Sequence, residues 1–377
     1  MEASRPDHAR LTMGDEVTRK PAALTLLLVT VALLSPLRLL AQSAPKEVRS
    51  AMPTDAPPRK VTVGTTMHAM YGKYPGLDAR LQELSDFVDR MAAEAKRKYG
   101  AGLDLAVLPE NAVTGGLEGG PAQTTVPLEG KVLAVMGEAA RRNHTYIVVA
   151  MGLAEDPAQG IYTNAGVLLD RGGKPAGIYR KVHLVDSARA GNLEGGLTPG
   201  KEFPVFQCDW GTLGIEICYD MAYDDGWQAL GLKGAEIVAW PSASPQTVRP
   251  RLRALQGNYY VVSSTWRNNA SFFDPMGGLI AQTVEPSSVL VEQIDLSYIV
   301  LDWQPTLNNG KALADRYGKA VGYRYSEAED CGIFWSNDPK TPITRMVREL
   351  GLELRADAVE RSRRLQDQIR GCPPSRD

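Results

Sequence analysis

Apolar residues at Leu77, Leu81, Leu84, Val88, Met91 and Ala95 recur at spacings of three and four, which marks one face of an amphipathic helix. The segments on either side follow a different rule. VTVGTTM (61–67) and LDLAVLPE (103–110) are short apolar runs that read as strands. The alternation continues with a helix over about 130–142, strands TYIVVAMGL (145–153) and IYTNAGVLLD (161–170), the turn Gly172-Gly173 and a further strand ending near Lys181. PVFQC (204–208), TLGIEIC (212–218), AEIVAWP (235–241) and YYVVSST (259–265) extend the strand set; helices are predicted at about 225–233 and 249–258, with short strands up to about Val300. Strands alternating with helices, interrupted by hairpin-like pairs, predict an α/β protein with mixed sheets.

The flanks differ from this body. Residues 45–59 (PKEVRSAMPTDAPPR) carry four prolines and little apolar pattern, so they read as a linker, and a folded domain is expected over 60–300. Residues 301–377 turn polar and aromatic, and TPITRMVREL with LRADAVERSRRLQDQIR predicts one or two charged helices in a C-terminal extension: a solvated packing helix, a dimer contact or a lid. In front of the linker, Arg19 and Lys20 precede an apolar run from Pro21 to Leu34, followed by the small residues Ala41, Ser43 and Ala44. That pattern predicts a secretory signal peptide over 1–44 and export to the periplasm or beyond, with no stable membrane span after cleavage. An uncleaved anchor is the alternative, because Leu37, Leu39 and Leu40 prolong the apolar character.

Composition narrows the partners. The 377 residues are 44% hydrophobic and 23% charged, with a formal net charge of −2 and no long Lys/Arg run, so nothing marks a nucleic-acid surface. Four cysteines in an exported chain would meet an oxidising compartment. Cys331 and Cys372 are the pair to join first, and spacing leaves their connectivity open.

Three apolar strands end by presenting a reactive group: LAVLPE at Glu110, GIYRKVHL at Lys181 and LGIEICYD at Cys218. Singly, each has an ordinary explanation as a buried thiol, a helix-start carboxylate or a solvated lysine. Jointly they carry information, because strand ends of α/β proteins converge on one cleft. The thiolate is the nucleophile, and a nearby ammonium with a basic carboxylate is expected to let Cys218 lose its proton near neutral pH. Lys181 and the backbone N–H of Tyr219 would stabilise the oxyanion, and Glu110 would carry the proton from thiol to leaving amine.

These blocks, LAVLPENAVTGG, YRKVHL and GIEICYDMAYDDGWQALGLKGAEIVAWPSA, resemble those of the nitrilase-like carbon–nitrogen hydrolases. TPG (198–200), RALQGNYYVV (253–262) and DPMGGLIA (274–281) are similar as well, so the resemblance covers about 60–300. It implies a four-layer αββα sandwich, a Glu110-Lys181-Cys218 triad, no metal or organic cofactor, and homo-oligomers built through a helical face. It also implies a second glutamate between Lys and Cys, for which Glu194 in NLEGGLTPG is the best match. Tyr219-Asp220 after the Cys looks like the amidase-type branches, where nitrilases tend to have Trp-Glu, and MAYDDGW lacks the arginine common in N-carbamoyl hydrolases. A small amide cleaved through a covalent Cys acyl-enzyme is therefore expected ahead of a nitrile or N-carbamoyl compound. Asp220, Tyr223, Trp227 and Trp266 are candidates for the substrate pocket.

Two rivals compete. A papain-like pairing of Cys218 with His183 would use the histidine two residues after Lys181. An exported binding protein that kept the fold without the activity is the rival of another class. Metal hydrolysis lacks support, since His8, His68, His144 and His183 form no HExxH-type spacing, and no GxSxG or Walker loop is present.

Overall fold

The three-and-four face becomes the helix Leu77–Tyr99, with Leu81, Leu84, Val88, Met91 and Ala95 buried. Asp78 in its first turn and Lys96, Arg97 and Lys98 in its last complement the helix dipole, and Gly100 closes it at φ 66°. Burying each of those larger side chains contributes about 1.5–3 kcal/mol relative to exposure. Met91 reaches the neighbouring strand only because Gly64 has no Cβ, which would come within 2.9 Å of it. This computed structural model describes residues 55–187 and 191–371. The predicted signal peptide 1–44, most of the 45–59 linker and Cys372 lie outside them.

Twelve strands connect into one hydrogen-bonded network. Strand Lys60–Met67 runs parallel to Leu105–Val107 and antiparallel to Ser288–Asp295 over eight residue pairs. It meets Tyr260–Thr265 at a single position, Met67↔Thr265. The network thus divides into two leaves of six strands. One leaf holds Pro175–Arg180, Ile161–Leu169, Tyr146–Asp156, Leu105–Val107, Lys60–Met67 and Ser288–Asp295. The other holds Val205–Cys208, Gly211–Ile215, Ile237–Ser242, Tyr260–Thr265, Ala270–Phe273 and Leu279–Thr283.

Because successive strand residues face opposite sides, each leaf buries two faces. Ile147 and Val149 join the cluster beneath the helices Leu77–Tyr99 and Lys131–Asn143, while Val148 between them joins a second cluster. In the other leaf Val238 and Trp240 pack with Trp227, Leu230 and Ala254 of the helices Asp225–Leu232 and Val248–Gly257, while Ile237 and Ala239 turn to that same second cluster. Both leaves therefore share one apolar interior and carry helices on their other faces. The mixed α/β class expected from the sequence is the one adopted.

The C-terminal segment holds more than the predicted helices. Helices Ile343–Glu349 and Arg355–Arg370 form, but before them Tyr298–Asp302, Cys331–Ser336 and Val321–Ser326 make a three-stranded antiparallel sheet. Strand Tyr298–Asp302 straddles the boundary drawn at 300, and its hydrogen bonds to Cys331–Ser336 join it to the C-terminal segment. Ile333 inserts into the apolar interior shared by the leaves, and Thr344 and Arg348 hold the linker residue Asp55 at 2.7 and 2.6 Å.

Cys331 is a free, buried thiol interacting with Arg355 at the start of the last helix. Cys372, the partner expected for it from the sequence, lies outside the described residues. Among the described residues no helix is long and apolar enough to cross a membrane.

Candidate active site

The three strand ends do converge. Glu110 follows Leu105–Val107, Lys181 follows Pro175–Arg180 and Cys218 follows Gly211–Ile215. Lys181 Nζ lies 3.0 Å from Glu110 Oε1 and also bonds Glu194 Oε1. Glu110 and Ser242 lie close enough to the Cys218 thiol to act on its ionisation. Glu110 and Lys181 are almost fully buried, at 4% and 1% exposed.

The supports come from several elements. Glu110 Oε2 accepts the Ala243 backbone N–H at 2.8 Å, and its own carbonyl accepts Trp266 Nε1 at 2.7 Å. Asn164, from the middle of strand Ile161–Leu169, donates its amide to Glu110 Oε1 at 2.9 Å and to Glu194 Oε2 at 3.2 Å. Gly200 of the TPG segment passes so close to the lysine strand that a Cβ would overlap the Arg180 carbonyl, and its N–H bonds the Lys181 carbonyl at 2.9 Å. Cys218 opens a tight turn, Cys218–Ala222, with φ 44°, and Glu194 has φ 40°. Left-handed non-glycine residues cost about 1–3 kcal/mol each and persist where the surroundings over-determine them. Here Trp240 Nε1 holds the Cys218 carbonyl at 3.2 Å, while the Val185 N–H reaches Glu194 Oε1 at 3.1 Å.

Charge counting changes one expectation. Two carboxylates, not one, surround the single ammonium. Burial alone would lower the Lys181 pKa, but Glu110 and Glu194 together raise it above the ordinary lysine value. The Cys218 thiol is pushed up to about 12 by burial and then by Glu110, against the weaker pull of Lys181 and Ser242. This direction runs against the thiolate expected from the sequence and favours loss of the proton in concert with attack.

Glu194, aligned only loosely by sequence, lands in the site, next to the short pairing of Asp186–Ser187 with Asn192–Leu193. Two pocket candidates do not. Asp220 is buried beneath the turn, where it accepts the N–H groups of Ile217 and His183 at 2.9 Å each. Trp227 packs in the apolar cluster with Met221, Leu230 and Tyr259. Tyr223, 41% exposed, meets the 39% exposed Tyr219 edge to face, and Trp266 meets Tyr71 the same way, so aromatic surface flanks both Cys218 and Glu110. Asn164, Ser242 and the Ala243 N–H were not anticipated; a polar Asn within an otherwise apolar strand was the one available signal.

His183 is committed elsewhere, which removes the papain-like pairing. Its ring nitrogens lie 3.1 Å from Asp220 and 3.3 Å from Asp225, and its ring stacks on Tyr223 at 3.9 Å. The Asp220 hydrogen bond raises its pKa, with further help from Asp225. A histidine whose folded-state pKa is raised contributes stability below its unfolded value, and that contribution fades as pH rises through the folded value. The Tm difference between wild type and His183→Gln should therefore be larger at pH 6 than at pH 9; a pH-independent difference would show that the ion pairs contribute nothing.

Among the described residues no cluster of His, Cys, Asp and Glu could hold a metal ion. A carbon–nitrogen hydrolase family model matches residues 73–302. Human deaminated glutathione amidase is 31% identical over 209 residues, covering 48% of this chain and 63% of that protein. A probable nitrilase of Schizosaccharomyces pombe is 28% identical over 161 residues, covering 42% of this chain and 55% of that protein. The match thus spans less than two thirds of either relative. Among solved structures, Saccharomyces cerevisiae Nit3, a member of branch 10 of the nitrilase superfamily, aligns at TM-score 0.54 and 21% identity over 65% of this chain and 93% of that one. An amidase from Nesterenkonia sp. aligns at TM-score 0.53 and 19% identity over 65% and 93%. Both show likeness of fold.

Proposed function

The chain belongs to the carbon–nitrogen hydrolase family, and from that premise we propose that it is a thiol-dependent amidohydrolase acting on a small amide. The observation that carries this reading is Glu110, which bonds the Lys181 ammonium at 3.0 Å and stands close enough to the Cys218 thiol to act on its ionisation. Cys218 Sγ attacks the amide carbon as its proton passes to Glu110. Lys181 and the Tyr219 N–H stabilise the charge that develops on oxygen. Glu110 returns the proton to the leaving nitrogen, the C–N bond breaks, and a thioester remains. Water, deprotonated by Glu110 and oriented with Glu194, then adds to the thioester; the acid leaves and the Cys218 thiol is restored.

Intact-mass measurement of the protein mixed with a panel of amides, N-carbamoyl compounds and nitriles tests the reading. An acyl adduct on Cys218, with release of amine or ammonia from the amides, is expected. Turnover confined to nitriles or N-carbamoyl compounds would move the substrate class, and no adduct with any compound would favour the binding protein.

A second copy of this chain is the partner proposed for the helical face. Val248, Leu252 and Leu255, at helical spacing on Val248–Gly257, are 68%, 50% and 44% exposed, and Leu232 beside them is 54% exposed. Leu252→Glu should convert a wild-type dimer to monomer in light scattering, and a wild type already monomeric at micromolar concentration would refute the surface.

A further inference from the structure

Directly beneath the site lies a second polar network, formed two residues before and after the reactive lysine and cysteine. Tyr179 and His183 flank Lys181, and Glu216 and Asp220 flank Cys218. Glu216 is 0% exposed. Its Oε2 accepts the Tyr179 hydroxyl at 3.1 Å, a proton for which Asp220 Oδ2 competes at 2.7 Å. Its Oε1 has no hydrogen-bond partner, and a Cβ on Gly226 would overlap it.

The groups facing this carboxyl are Tyr179 from the lysine strand, Asp220 from the turn, Asp225 from the following helix and Tyr259 from behind it. None is a cation; His183, beyond Asp220, is engaged with the two aspartates. An ionised carboxylate with neither cation nor backbone N–H, next to a second carboxylate, costs several kcal/mol in the interior. A carboxylic acid in the same place carries no charge, has a proton to offer the neighbouring Asp220, and costs far less.

We propose that Glu216 is held as the neutral acid and, as a positioning residue, keeps Asp220 and with it the ends of the lysine and cysteine strands in register, a role whose kinetic consequence rests on the function proposed above. Asp220 is the joint between the two strand ends, since it takes the N–H of Ile217 beside Cys218 and that of His183 beside Lys181. Loss of the Glu216 proton at alkaline pH sets two negative charges against each other and loosens both attachments.

Glu216→Gln and Glu216→Leu provide the test. The glutamine keeps the shape, donates an N–H to Asp220 and cannot ionise. It should retain turnover at neutral pH and move the alkaline limb of the pH–rate profile upward by about one unit or more. The leucine, which leaves Asp220 and Tyr179 short of a partner, should lower kcat by at least about tenfold.

A readout independent of turnover accompanies these. Burial and Asp220 raise the Glu216 pKa in the folded state, so folding takes up a proton that the unfolded chain lacks above the ordinary carboxylate range. Stability from this group is therefore full below that range and declines as pH rises toward the folded value. Glu216→Gln should then exceed wild type in Tm at pH 8, with the gap closing toward pH 4.5. An unmoved alkaline limb together with a Tm deficit equal at both pH values would overturn the assignment. Should the wild type hydrolyse no amide, the functional reading fails, and the Tm comparison still decides the state of Glu216.

Discussion

Replacing Cys218 by alanine is expected to lower kcat by about four orders of magnitude or more, while the protein still folds and still binds its amide. The loss is large because the nucleophile itself is removed, and alanine offers Glu110 no proton to carry. Fold and binding survive because Lys181, Asn164 and the Ala243 N–H still hold Glu110 in place. Single-turnover kinetics and calorimetric titration with one amide measure both quantities on one preparation. An alanine variant with wild-type kcat would end the covalent mechanism; an unfolded one would show that the turn at φ 44° needs the thiol for more than chemistry.

The second large effect arises from the charge count. Lys181→Met leaves the buried Glu110 and the half-buried Glu194 without their cation, and removing one partner of a buried ion pair costs about 3–5 kcal/mol of stability. Turnover should fall by at least about 10²–10³, the loss typical of one oxyanion donor. Pairing Lys181→Met with Glu194→Gln removes one negative charge along with the positive one. The double variant should regain much of the lost Tm and none of the lost kcat. Recovery of both would assign Lys181 a role in folding alone.

Glu110, Lys181 and Cys218 were legible because each ends an apolar strand and each block has a recognisable order, two signals carried by consecutive residues. Glu194 was legible only through the resemblance, since a carboxylate among four nearby glycines has no pattern of its own. What escaped was everything that depends on which strands become neighbours. Asn164 sits in the middle of its strand and acquires meaning only when the fold brings to it Glu110, from the segment after Leu105–Val107, and Glu194, from the segment after Asn192–Leu193. The upward push on the Cys218 thiol escaped for the same reason: it comes from burial first and from Glu110 second, and both belong to the assembled site. Asp220 and Trp227, close to Cys218 in sequence, point into the support beneath it. Of the C-terminal strands, VGYRYS was hidden by Arg324 and two tyrosines where a buried strand would show a continuous apolar run, whereas CGIFWS shows such a run and was legible.

Glu110 and Lys181 belong to one leaf and Cys218 to the other, and the one strand-ladder pair between the leaves, Met67↔Thr265, lies at the end of their strands where the site lies. Such a joint is placed like the fulcrum of a pair of tongs gripped close to the pivot. Any breathing of the shared interior about it would displace the far ends of the leaves more than sulfur and carboxylate, which stand a short lever arm from the fulcrum. Mutations that swell or shrink the interior far from the joint are accordingly buffered, whereas a change of bulk at Met67 or Thr265 alters the gap between nucleophile and base directly.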